Sequence, residues 1–132
     1  MRSKWFALIF FSAVLTAQDP VGDNLFPPEL VMAHQSAIGL DETQKTYIRA
    51  ELLKAQTRFT ELQWQLQDSM EALAALLKQT PADETRVIAQ LDKVLTSERE
   101  IKRTQITLML RIKNKLTPDQ QSRLQKLRAE QK

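Results

Sequence analysis

Residues Glu42–Lys78 read ETQKTYIRAELLKAQTRFTELQWQLQDSMEALAALLK. Apolar residues fall at Ile48, Leu52, Ala55, Phe59, Leu62, Leu66, Leu73 and Leu76, with Ser69 filling the one gap. The steps alternate four and three, which is a heptad seam and predicts a helix. No proline or glycine interrupts it. At 1.5 Å per residue such a helix is about 55 Å long.

Gln79-Thr80-Pro81 ends this stretch, and a second long helix is expected over 82–115. Its stripe is Val87, Leu91, Val94, Glu98, Ile101, Gln105, Leu108 and Ile112. Glu98 and Gln105 interrupt it in one of two ways. Either they fix register through buried hydrogen bonds, or the stripe faces a half-open surface where they stay wet. The short link at Thr80-Pro81 folds the two helices back into an antiparallel hairpin. Short helices flank it: one over 29–38, closed by Gly39 in the left-handed conformation, and one over 118–130. The fold class is all-α, a four-helix protomer. Trp64, Met70, Leu77, Ile106 and Met109 lie beside the seams and exceed what a thin monomer can cover, so a homodimer is expected.

The pentapeptide Leu116-Thr117-Pro118-Asp119-Gln120 opens the last helix, and Leu40-Asp41-Glu42-Thr43-Gln44 opens the first long one. Thr117 and Asp41 are N-caps, and Gln120 and Gln44 stand at N3, where each can reach back to its cap N–H as a capping box. Thr80-Pro81-Ala82-Asp83 is a looser third copy with its carboxylate at N3. Leu40 and Leu116 have no apolar N4 partner, because those positions are Lys45 and Gln121. The leucines are therefore expected to pack against other helices.

Upstream, Met1-Arg2-Ser3-Lys4 is basic, and Trp5–Leu15 is an apolar run too short to span a bilayer comfortably. Residues 1–17 read as an export signal with Ala17 before the cut, the alternative being an uncleaved anchor. Residues 18–28, with three prolines and a glycine, read as an extended linker, and 29–132 as the helical domain. The formal charge is +3 for the whole chain. Without Arg2 and Lys4 it falls to +1, so bulk charge gives no support for nucleic-acid binding.

The chain has no cysteine, one histidine and two glycines. That leaves no thiolate nucleophile, no disulfide, no glycine-rich phosphate loop and no nucleotide cofactor motif. His34 is the sole imidazole, with Glu29, Met32 and Met109 as the available helpers, which is a poor donor set for a transition metal. A serine hydrolase would have to use the same histidine, so no enzyme and no cofactor is expected.

The two pentapeptides resemble the motif of the LTxxQ family of periplasmic helical proteins, the Spy/CpxP-like chaperones and related heavy-metal resistance proteins. The likeness is densest over Arg111–Leu124 and extends to Phe26–His34 and Ile38-Gly39-Leu40, covering about 26–128. Asp41 departs from the motif's threonine but keeps the cap. The resemblance implies a cradle-shaped dimer in the periplasm that binds non-native proteins without ATP during envelope stress. Its sensor branch implies instead a metal- or stress-sensing protein docked on a membrane signalling kinase. The side chains suited to adaptable client contact are Phe59, Trp64, Met70 and Met109, with Arg99, Lys102 and Arg103 as flanking cations. The plainer reading of each apolar residue is core, and of each cation a solvated face.

Overall fold

The computed structural model describes residues 19–131, which are helical with no strand among them. The helices are α1 (Pro20–Asp23), α2 (Pro28–Ala33), α3 (Glu42–Leu77), α4 (Glu84–Lys115) and α5 (Pro118–Glu130). The expected export signal lies outside the described residues. Helices α3 and α4 pack along their length as an antiparallel hairpin. Two cross-links fix the register: Gln90 Nε2 donates to the Ser69 carbonyl at 2.8 Å, and Arg111 Nη1 to Glu51 Oε2 at 2.9 Å.

The core is concentrated at the end of the hairpin remote from its turn. There Phe26, Leu30, Val31, Ile38 and Leu40 close over Ile48, Ala55, Leu108, Ile112, Leu116 and Leu124. Leu40 and Leu116, the leucines preceding the caps, are both buried in this cluster. Toward the turn the burial thins out, and Leu62, Val94 and Ser97 are the last buried residues of the seam.

Three expectations are corrected. Residues 19–28 are not an extended linker. Asp19 caps the one-turn α1 by accepting from the Val21 N–H, and Leu25 and Phe26 are buried. Arg128 holds this arm from α5. Its guanidinium lies 5.0 Å from the Phe26 ring and donates to the carbonyls of Gly22, Asp23 and Leu25. Lys113 Nζ adds a 2.8 Å bond to the Asn24 carbonyl. The prolines and glycine break regular structure, but distant donors satisfy the carbonyls they leave behind.

Second, α2 ends at Ala33, earlier than expected. The chain continues through a turn to Gly39, at φ +67°. There Leu40 N–H bonds the Gln35 carbonyl and Gly39 N–H the Ser36 carbonyl, the Schellman pattern of a left-handed stop. Third, α4 begins two residues late, because Asp83 is its cap and not its N3 residue. Asp83 Oδ1 accepts from Arg86 N–H.

Candidate functional site

The two pentapeptides meet. Both capping boxes form: Asp41 and Thr117 accept from the N–H groups of Gln44 and Gln120, and the glutamine Oε1 atoms accept from the cap N–H groups in return. The two glutamines then bond each other. Gln44 Nε2 donates to Gln120 Oε1 at 2.7 Å and Gln120 Nε2 to Gln44 Oε1 at 3.0 Å. The remaining amide hydrogens go to Lys115 O from Gln44 and to Gly39 O from Gln120. Each acceptor stands two residues before the opposite cap, so the arrangement has local two-fold symmetry. Both amides are buried with all four of their hydrogen bonds made. This clasp fastens α3 to α5 and makes the pentapeptides structural.

The flat surfaces of the hairpin differ from each other. One is polar: grooves there are lined by Gln65, Asp68, Asp92, Lys93 and Thr96, and by Glu51, Lys54, Arg58, Glu100, Arg103 and Arg111. Glu51 is buried between Arg111 and Lys54, and the Arg111 hydrogen bond holds its carboxyl below the ordinary glutamate range. The heptad phase carries Leu66, Met70, Leu73 and Leu77 of α3 to the opposite face, beside Ile88, Leu91 and Leu95 of α4. Met70, Leu77, Ile88 and Leu95 each keep about half their surface exposed. Helices α2 and α5 cap only the other end, so this apolar face has no cover within the described residues.

The expected client-contact residues divide. Met70 is exposed on the apolar face, and the heptad phase sets Lys102, Arg99 and half-buried Met109 along the same side. Phe59 is half-buried and packs against the core. Arg103 lines the polar groove instead. Trp64, 63 % exposed, lies on the outer edge of α3, away from α4. Glu98 is exposed and does not belong to the seam. From Val94 the seam steps by three to Ser97, which is buried, so the small residue takes the place assigned to the glutamate. Gln105 is half-buried, which fits a half-open stripe. The residues missed by the sequence reading are Leu73, Leu77, Ile88, Leu91 and Leu95 as one face. Their signal was an apolar count beyond the seam on both helices near the turn.

His34 caps the C-terminus of α2, with Nε2 3.1 Å from the Gln131 side-chain amide. Among the described residues no three His, Cys, Asp or Glu side chains come together, and Met32 packs against the core. One imidazole without a carboxylate or thiolate partner does not fit a transition-metal site within a protomer. No helix among the described residues is long and apolar enough to cross a membrane.

The family model described as heavy-metal resistance matches residues 6–131. No curated protein and no solved structure matches the chain. The match covers nearly the whole sequence, and the chain belongs to this family, which is part of the Spy/CpxP-like group of periplasmic helical proteins.

Proposed function

We propose that this member of the heavy-metal-resistance family is a periplasmic, ATP-independent chaperone that binds non-native proteins and limits their aggregation during envelope stress. The observation that carries the reading is the uncovered apolar face near the hairpin turn, with Met70, Leu77, Ile88 and Leu95 half exposed.

Such a face binds weakly and reversibly. Covering one large aliphatic side chain is worth about 1.5–3 kcal/mol when burial is complete, so covering the exposed half of one is worth about 1 kcal/mol. A client segment that covers three of them gains about 3–4 kcal/mol, an affinity near the millimolar range. Release then needs no nucleotide, and two faces in a homodimer raise the residence of a long client through avidity. Arg99 and Lys102 beside the face favour acidic segments and speed encounter. In this reading the chain contributes to metal resistance by protecting proteins, since its donor set does not suit a metal. A regulatory subunit that senses metal and docks on a membrane kinase is the competing reading, and the family description, heavy-metal resistance, does not favour it over the first.

The test is light scattering of a chemically denatured client on dilution, with the exported chain, a chelator and no ATP. Suppression near equimolar dimer is expected. Absence of suppression across several clients, together with stoichiometric copper, zinc, nickel or cobalt binding lost in His34→Ala, overturns the chaperone reading in favour of the sensor.

A further inference from the structure

The half of the hairpin remote from its turn is basic. Residues 41–59 and 99–115 together carry ten cations and four acids, whereas 60–98 carry three cations and seven acids. Part of that excess gathers on the polar surface, in a cleft of about 290 Å³ between α3 and α4. Helical spacing brings the cations there. Lys54 and Arg58 stand one turn apart on α3, and Arg103, Thr107 and Arg111 follow one another at steps of four on α4. Ala55 and Leu108 are buried and form the floor. An alanine at this seam position leaves open the space that a larger side chain would fill.

The cleft is rich in hydrogen-bond donors and short of free acceptors. A guanidinium carries five N–H donors. Among the described residues Arg111 spends one on Glu51, at 2.9 Å, and Arg58 one on Glu61, at 3.3 Å. Arg103 spends none, because its Nε lies 3.9 Å from Glu100, beyond hydrogen-bond reach. The two oxygens of Glu51 are taken, one by Arg111 and one by Lys54. Its carboxyl, held below the ordinary range, stays charged and fixes Arg111 at one end of the cleft. The Arg58–Glu61 pair joins two exposed side chains on one helix and yields readily to a stronger acceptor. Four cations and two carboxylates line the cleft, an excess of two positive charges.

We infer that this cleft binds a phosphate-bearing ligand, with Arg58 of α3 and Arg103 of α4 closing on the phosphate oxygens and Arg111 and Lys54 adding charge from the end that Glu51 fixes. A phosphate monoester carries close to two negative charges and three acceptor oxygens. That matches the charge excess and engages the idle N–H groups in bidentate pairs. A carboxylate brings half the charge and two acceptors. The volume exceeds that of a bare phosphate and leaves room for a small polar group behind it. The cleft opens to solvent along its length, so the same chemistry can arrive on a soluble ester or on the headgroup of an anionic lipid. The site lies on the surface opposite the proposed client face and does not depend on it.

The test uses the exported chain in phosphate-free buffer. Glycerol 3-phosphate is the soluble probe, in titration calorimetry. Phosphatidylcholine vesicles with and without phosphatidic acid are the lipid probe, in co-sedimentation. Binding of either probe is expected, and the one that binds identifies the source. Arg58→Gln and Arg103→Gln are each expected to lower the affinity about tenfold. Thr107→Glu sets a carboxylate midway between Arg103 and Arg111 and is expected to abolish binding. Lys126→Gln removes one charge on α5, outside the cleft, and is expected to leave the affinity within about twofold. All four positions are exposed, so circular dichroism of the variants stays that of the wild type. Failure of both probes to bind overturns the site, and so does an equal loss in Lys126→Gln and Arg103→Gln. An oligoaspartate peptide that binds where neither phosphate probe does also overturns it, and assigns these cations to acidic clients.

Discussion

At the scale of single residues, the Gln44–Gln120 pair decides how the bundle end closes. An amide at N3 does what a glutamate in a capping box cannot, since it accepts from its own cap and donates elsewhere. Two glutamates in these places would repel and would leave Lys115 O and Gly39 O without donors. The capping boxes were legible from spacing alone. The pairing between them was not, because 76 residues separate the two and local pattern carries no distance. Glutamine at both N3 positions was the available signal. Truncation by Gln120→Ala strands the Thr117 N–H, the Gly39 carbonyl and half of the Gln44 amide, and is expected to cost about 3 kcal/mol in urea denaturation. Thr117→Ala removes one cap bond and is expected to cost about 1 kcal/mol. Gln44→Ala added to Gln120→Ala is expected to cost much less than the sum, since the pair acts as a unit. Glu51 gives the protein a pH dependence. Its carboxyl is held below the ordinary range, so the folded chain binds fewer protons than the unfolded one. The stability it contributes is fully present above the unfolded glutamate pKa and is lost as pH falls through the lowered folded value. Glu51→Gln is expected to flatten that acid limb in denaturation curves measured at successive pH values, and an unchanged limb assigns it to other carboxylates.

At the scale of elements, the hairpin is well supported at one end and bare at the other. Bounds for α3 and α5 were readable because their caps are unambiguous, and both helices begin where the caps predicted. The start of α4 was misplaced because two capping residues, Thr80 and Asp83, compete in the same turn, and the carboxylate nearer the helix takes the N–H. Asp83→Ala is expected to cost about 1 kcal/mol, whereas Thr80→Ala is expected to be close to neutral, as judged by thermal melts. The N-terminal arm was misread for a different reason: the donors that order it, Arg128 and Lys113, lie about 90 to 105 residues away. Low local packing predicts low local protection. Amide hydrogen exchange of dilute protein is expected to be fast over 66–95 and slow over 44–62 and 101–116. Equal protection along both long helices would mean that the turn end has a cover beyond the one set of contacts described.

At the scale of the whole molecule, one end is a closed structural knot and the other an open apolar surface, with charge of opposite sign at the two ends. All-α architecture followed from periodicity and caps. Which face stays open did not, because heptad phase gives a helix two flanks and only the packed partner tells them apart. The family places the chain among heavy-metal-resistance proteins, and in the proposed reading a chain with no cysteine and one histidine serves that resistance by protecting other proteins. The most direct test compares aggregation of a denatured client in the presence of wild type and of Met70→Gln/Ile88→Gln/Leu95→Gln, three exposed positions on the open face. The account expects wild type to suppress scattering and the variant, with unchanged circular dichroism, to have lost most of that effect. Equal suppression by the two proteins would contradict the assignment of client binding to this face, and no suppression by either would contradict the chaperone activity itself.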